Sequence, residues 1–587
     1  MCGIVGYIGK NALINAVKNL KTLEYRGYDS SGVGFFNNDA PQIIKTSGTI
    51  AKLEEKINFN KLLDVKVAIG HTRWATHGNV SNKNAHPFES NNVILIHNGI
   101  IENYTELKEF LNGKGYRFQS EVDSEVVAHL IDYYYENHNY LLAIKKALNK
   151  IKGMYSFLIL FKDNPDFIYG VRKDAPLYLS LSNKDVVIAS DLVGIIPYTS
   201  DYYIPDNNEI FQAKYGDISF YDNTLNKIEK ELKTSTITKE NVTKQGYKHY
   251  MLKEIMQQKD ILSKIQKASI EHLKPVVENV KNIVIVGCGS AWHAGLIGKH
   301  LFEQLLEIPT QCLIASEFRY SPFLYNPKTL FIFISQSGET ADTIAALKLA
   351  KEKKVKTLGI VNVTNSTIAN ECDYLINIDA GTEIAVASTK AYYAQILYLY
   401  KLCFLMAQEQ KINLSKIEKE FNNYKLDIDS ENPTIKTLAK QISKKKDIFF
   451  LGRGLDYYLA LEGSLKLKEI TYIHSETYPA GELKHGPISL INKKSLVVAI
   501  MSQHNLKSKT SSNIEEVISR GSKTILISDT PMVKDKVENL KSDLFKYDCL
   551  TPLNIIPTLQ LISYYCAIAK KTNIDKPKNL AKSVTVE

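Results

Sequence analysis

Cys2 is the second residue of a chain that opens Met1-Cys2-Gly3-Ile4-Val5-Gly6. A small residue at position two favours removal of the initiator methionine, which makes Cys2 the amino terminus. A thiolate is a strong nucleophile, and a free α-amine titrates at about 7.7–8.0. One residue then supplies both nucleophile and general base. The competing reading is a small hydrophobe at the head of a buried strand. Three further segments carry groups suited to such a nucleophile. Arg73, in His71-Thr72-Arg73-Trp74-Ala75-Thr76-His77-Gly78, either grips a carboxylate through two parallel N–H bonds or forms a surface ion pair. Asn98 and Gly99 can both donate to one developing oxyanion. Asn-Gly between apolar runs is also a strong hairpin signal, so a tight turn is expected there. Asp123, in Glu121-Val122-Asp123-Ser124-Glu125, holds an ammonium group or caps the helix that follows. Nucleophile, oxyanion hole, carboxylate clamp and ammonium clamp together fit an α-amino acid bearing a side-chain amide, which is glutamine.

A second set lies further on. Ser335-Gln336-Ser337-Gly338-Glu339-Thr340 sits between an apolar run and a helical pattern. Hydroxyls and N–H groups at a helix N-terminus form an anion pocket; a serine-rich capping turn is the alternative. With no Gly-Lys-Ser/Thr it is not a nucleotide loop, and it suits one small phosphate without Mg²⁺. Gly287-Cys288-Gly289 lacks the third glycine of a dinucleotide fingerprint, since Trp292 stands in its place. Glu462, Lys466 and Glu469 fall at i, i+4 and i+7 on one helix face. They read as a surface ion pair worth about 0.3 kcal/mol or as a carboxylate tuned to move protons. His485 lies in the turn-rich Ala480-Gly481-Glu482-Leu483-Lys484-His485-Gly486-Pro487, and Lys582 in a tail where fraying is the default.

The elements that must position these groups fall into two styles. Residues 1–235 alternate short β-rich runs, at 65–69, 93–97, 157–161 and 186–189, with helical patterns near 12–23 and 124–136. That predicts an α+β domain with packed antiparallel sheets. A polar stretch at 231–245 reads as a linker, so residues 236–270 are taken as linker and lead-in helix. Beyond it, strand, glycine turn and long helix repeat, which predicts doubly wound parallel sheets with helices on both faces. Lys281-Asn282-Ile283-Val284-Ile285-Val286-Gly287-Cys288-Gly289 is echoed 165 residues later by Lys446-Asp447-Ile448-Phe449-Phe450-Leu451-Gly452-Arg453-Gly454. Two similar α/β domains are therefore expected, at 271–430 and 431–587.

Composition excludes several classes. The chain has 587 residues, enough for about three or four domains. Its net charge of +10 is spread along helical patterns, which argues against a nucleic-acid stripe and favours an anionic substrate. Seven cysteines with no CxxC point to reduced thiols and a cytoplasmic protein. No signal-peptide pattern is present. The apolar segment 391–407 contains Gln395 and Lys401 and reads as a buried helix, not a membrane span. His71 and His77 match no zinc spacing, and no metal is expected.

Cys2-Gly3-Ile4, Leu23-Glu24-Tyr25-Arg26-Gly27-Tyr28-Asp29-Ser30-Ser31-Gly32, the segment around Arg73 and His97-Asn98-Gly99 resemble the N-terminal-nucleophile (Ntn) glutamine amidotransferases. The resemblance implies that Cys2 attacks the glutamine amide with its own amine as base, and that Asn98 and Gly99 form the oxyanion hole. It implies that Arg73 and Asp123 hold the α-carboxylate and α-amine, that Trp74 closes the site, and that Thr76 and His77 contact substrate. The second half resembles the paired sugar isomerase (SIS) domains of the glucosamine-6-phosphate synthase family. There Ser335, Gln336, Ser337 and Thr340 would bind the phosphate of fructose 6-phosphate, with Cys288, Ser290, Val386 and Ser388 lining the pocket. His485 would assist ring opening, reaching across a homodimer. Lys582 would form an imine with the open ketose, and Glu469 would move a proton from C1 to C2 beside Lys466. Ala291-Trp292 departs from the family's hydroxyl residue and aromatic, which implies a lost contact near the sugar. The resemblance implies no cofactor. The alternatives are a non-catalytic sugar-phosphate sensor and an amidotransferase acting on another phosphosugar.

Overall fold

The computed structural model describes residues 2–74, 78–235, 237–322, 325–543 and 545–585. The chain divides into two compact units, Met1–Thr243 with Ala581–Val586, and Lys244–Leu580.

The first unit is built on two antiparallel sheets. One runs Ala40–Ser47, Ser30–Asn37, Val67–Arg73, Gly3–Ile8, Asp185–Ala189, Tyr178–Ser182 in spatial order. The other has seven strands, with Val93–Ile101 between Gly153–Phe161 and Phe88–Glu89. Side chains alternate across a strand, and both faces of Val93–Ile101 are covered. Ile94 and Ile96 join Ile4, Ile69 and Ile188 between the sheets. Val93 and Leu95 pack outward against Val126, Val127, Leu130 and Ile131 of the helix Ser124–Tyr134. A strand buried on both faces reads as an unbroken apolar run, which is why this segment is so hydrophobic.

The second unit contains two five-stranded parallel sheets. The first runs Thr310–Ile314, Asn282–Gly287, Thr329–Ser335, Lys356–Val361, Tyr374–Asn377. The second runs His474–Pro479, Asp447–Gly452, Leu496–Met501, Lys523–Ser528, Val537–Lys541. Both have the order 2-1-3-4-5, so the sequence echo marks two copies of one topology. The repeated glycines share a backbone shape, Gly289 at φ 55°, ψ −127° and Gly454 at φ 55°, ψ −125°. Each opens a helix of 17 residues, Ser290–Leu306 and Leu455–Thr471. In the second copy Asp456 accepts the Ser502 and Gln503 N–H groups at 2.9 and 3.4 Å and the Ser502 hydroxyl. The helix Lys390–Glu409 holds the apolar 391–407 segment and is buried in a core that draws on both lobes. Among the described residues no helix is long and apolar enough to cross a membrane.

Candidate active sites

In the first unit, pairing of Gly3 with Thr72 brings Cys2 to the end of Val67–Arg73. The Trp74 N–H donates to Cys2 Sγ at 3.2 Å, and the Asn98 amide donates from Nδ2 to the Cys2 carbonyl at 2.9 Å. Burial pushes the Cys2 thiol up, while the Trp74 N–H and the Arg73 guanidinium favour the thiolate. Arg73 and Asp123 are buried, and both act electrostatically on Cys2. Asp123 stands at the head of Ser124–Tyr134 but makes no capping bond there. Its Oδ2 accepts the Ile101 N–H at 2.8 Å, beside Gly99. Of the two readings of Asp123, helix capping is therefore removed. The Trp74 ring stands edge-on to Tyr28, with centroids 5.8 Å apart. Thr76 and His77 lie outside the described residues.

The expected hairpin turn at Asn98-Gly99 is not formed. Both residues lie inside the strand Val93–Ile101, opposite Ser156 and Tyr155. The partner strand comes from far along the chain, and Ile100 and Ile101 extend the apolar run past the glycine. Gly99 has φ +132°, and a Cβ there would meet Met154 O at 2.0 Å. Glycine thus serves close backbone approach at this position.

Three histidines form a cluster to which sequence analysis assigned no role. His71, His86 and His97 are buried together, with the His71 and His86 rings stacked 3.9 Å apart. Burial, with Arg73 nearby, lowers His71 from 6.5 to about 3, and burial lowers the other two as well. Between the ordinary value of 6.5 and about 3, the unfolded chain binds a proton at His71 that the folded chain refuses. The stability linked to a neutral His71 is therefore fully present above pH 6.5 and is lost as pH drops through that window. His71 alone contributes a slope of about 1.4 kcal/mol per pH unit. Pulse proteolysis in urea, reading peptides from the first unit, should show this fall, with a shallower slope in His71→Phe.

In the second unit, Ser335 closes the strand Thr329–Ser335, and the loop after it turns into the helix Ala341–Glu352. Ser335 Oγ accepts the Gly338 N–H at 3.0 Å and lies 3.0 Å from Thr340 Oγ1. Ser337 Oγ accepts the Glu339 N–H at 3.1 Å, and the Gln336 carbonyl accepts the Asn362 N–H at 3.2 Å. Thr340 is the N-cap residue but makes no side-chain cap. Two loop hydroxyls thus accept loop N–H groups, and the helix that follows starts without a side-chain cap from Thr340. Cys288 Sγ lies 3.8 Å from Thr343 Oγ1 on that same helix. Ser388 Oγ donates to Glu383 Oε2 at 3.0 Å, and the Val386 N–H donates to the Asp575 carbonyl at 3.0 Å. The loop before Lys390–Glu409 is held from both sides.

The face Glu462, Lys466, Glu469 is not a surface ion pair. Glu462 and Lys466 are 2% and 0% exposed. Lys466 Nζ lies 2.5 Å from Glu469 Oε2 and 3.4 Å from Glu462 Oε1. Burial opposes its charge, yet Glu469 and Glu462 raise Lys466 to about 12. Glu462 is enclosed further: Ser290 donates its hydroxyl to Oε1 at 3.0 Å, and His293 Nδ1 lies 2.7 Å from Oε2. Against the cost of burial, Lys466, His293 and Ser290 hold the Glu462 carboxyl below its usual range. Ser290 thus serves the carboxylate of the second lobe's helix. His293 is the neighbour that sequence reasoning missed, while Glu462 was visible in the spacing of the face. The Trp292 indole lies near Cys312 O at 3.5 Å and beside the His293 ring. His485 is exposed at the end of a short 3₁₀ turn, and Lys582 belongs to the tail grouped with the first unit. Among the described residues no group of three or more His, Cys, Asp or Glu side chains is placed to hold a metal ion.

An amide-cleaving centre on paired antiparallel sheets, followed by two phosphosugar-type parallel lobes, defines a glutamine amidotransferase fused to a sugar isomerase. Family comparison agrees. Residues 71–196 match the glutamine amidotransferase domain, and residues 277–405 and 441–536 match the SIS domain. The chain is 45% identical to the glutamine–fructose-6-phosphate aminotransferase (isomerizing) of Clostridium tetani, covering 100% of both chains. It is 43% identical, over the same full coverage, to that of Caldanaerobacter subterraneus. The solved C-terminal domain of glucosamine-fructose-6-phosphate aminotransferase from Francisella tularensis superposes with a TM-score of 0.53 at 38% identity, covering 57% of this chain and 100% of that one. The chain belongs to the glutamine–fructose-6-phosphate aminotransferase (isomerizing) family.

Proposed function

We propose that this chain makes glucosamine 6-phosphate from glutamine and fructose 6-phosphate. The observation that carries the reading is that Cys2, Asn98, Arg73 and Asp123 are gathered in a chain that also carries the Ser335 loop and the buried Glu462–Lys466–Glu469 face. Once Met1 is removed, the Cys2 thiol passes its proton to its own amine and attacks the glutamine side-chain carbonyl. Asn98 and Gly99 stabilise the oxyanion. Collapse expels ammonia and leaves a thioester, which water cleaves to glutamate. Arg73 and Asp123 select the α-carboxylate and α-ammonium. Ammonia passes to the sugar within the protein, since in water at pH 7 it is mostly ammonium and not nucleophilic.

Ser335, Gln336, Ser337 and Thr340 hold the sugar phosphate, with Cys288, Val386 and Ser388 around it. Lys582 forms an imine at C2, ammonia displaces it, and Glu469 carries the C1 proton to C2. The balance is fructose 6-phosphate plus ammonia giving glucosamine 6-phosphate plus water. Mass spectrometry of a mixture of glutamine and fructose 6-phosphate tests the reading: product carrying the glutamine amide nitrogen is expected, and no aminosugar would overturn it. Lys582→Ala should keep glutamine hydrolysis and stop aminosugar formation.

His485 stands exposed on its loop, which supports its acting on the site of a partner subunit. Mixing and reassociating His485→Ala with Lys582→Ala chains should then restore about a quarter of the wild-type activity, because each mixed dimer regains one intact site. No recovery after verified exchange would place His485 in its own chain's site.

A further inference from the structure

We infer that His71 is a positioning residue for the glutamine site, turning the Asn98 amide so that its NH₂ group faces the nascent oxyanion. This rests on the reading of Asn98 as an oxyanion donor. His71 Nε2 lies 2.9 Å from the His97 carbonyl and 3.1 Å from Asn98 Oδ1. Both neighbours only accept, so Nε2 carries the proton. The other ring nitrogen, Nδ1, is buried and has no hydrogen-bond partner among the described residues, and it lies in a ring stacked on His86. A second proton on that ring would be buried close to Arg73 and His97, and the group stays neutral at physiological pH.

The consequence falls on Asn98. Its Oδ1 faces the imidazole N–H, and its Nδ2 faces the Cys2 carbonyl at 2.9 Å. A flip of the amide would set NH₂ against the imidazole N–H and oxygen against the carbonyl oxygen. Both ends would repel, so the correct orientation is fixed twice over. One Asn98 N–H bonds the Cys2 carbonyl, and the amide keeps a second for the tetrahedral intermediate. Preorganised donors of this kind do not have to reorient as charge develops.

The test uses the full-length enzyme. His71→Phe keeps a ring against His86 and removes the donor. It should lower the kcat of glutamine hydrolysis about 10- to 100-fold, with KM nearly unchanged. Alkylation of Cys2 by iodoacetamide builds no oxyanion and should proceed at the wild-type rate. His71→Gln, which restores an N–H donor, should recover most of the loss. Should the phenylalanine chain fail to fold, His71→Met makes the same deletion with a softer side chain. Unchanged kcat in the donor-less variant overturns the inference, and so does a parallel loss of alkylation, which would mean an effect on the thiol. Asn98→Ala separates the two layers. If that variant hydrolyses glutamine normally, the oxyanion reading of Asn98 itself fails. If it is impaired, adding His71→Phe should cost nothing more.

Discussion

A Cys2→Ala chain should hydrolyse no measurable glutamine, a loss of about 10⁴-fold or more, and should form no aminosugar from glutamine and fructose 6-phosphate. The first effect follows from losing the thiol proposed to form the thioester while Asn98, Arg73 and Asp123 are untouched. The second follows because glutamine is then no longer a source of ammonia for the sugar. The nucleophile sits in an uneasy environment, since burial raises its thiol while the Trp74 N–H and Arg73 work the other way. Its base must therefore be close, and the α-amine of the same residue is as close as chemistry permits. Intact mass on the active wild-type fraction should show Met1 absent. Full turnover with residue 1 still attached would remove the base and sink the mechanism.

The second large effect is expected at Glu469. Changing it to Gln keeps size and one acceptor for Lys466 but removes the proposed proton carrier. Formation of glucosamine 6-phosphate should fall about 10³-fold, with glutamine hydrolysis unaffected. The neighbours narrow the choice of base. Lys466, raised to about 12, stays protonated at neutral pH and cannot take the C1 proton. Glu462 is closed in by Ser290, His293 and Lys466. Glu469 alone of the three keeps part of its surface exposed. Loss of deuterium from C1 of labelled fructose 6-phosphate, counted both at C2 of the product and in water, reports the step directly. Unimpaired loss in Glu469→Gln would move the role elsewhere.

Much of this architecture was legible before any coordinates. Period-two and strand–glycine–helix patterns told the antiparallel half from the parallel half, because burial on both faces and crossover helices leave different apolar spacing. The Ser335 loop was legible from its place between strand and helix. Asn98-Gly99 misled: a local turn signal gave way to a strand whose partner lies far along the chain. Glu462 and Lys466 misled differently. Spacing shows that two side chains share a helix face, but not whether that face meets water or another lobe. His71 and His293 had no signal, since a single histidine acquires meaning only through what folds against it.

Asp456 gives the repeated topology a final meaning. Sheet register and the shared offset make Ser502 and Gln503 the counterparts of Gln336 and Ser337, and Asp456 the counterpart of Ala291. In the second lobe a side-chain carboxylate accepts the Ser502 and Gln503 amides, and the first lobe has alanine at the matching place. Those amides are taken, and the second lobe's long helix serves the neighbour instead. Ala291, at first a missing handhold, brings no carboxylate to the matching place in the first lobe.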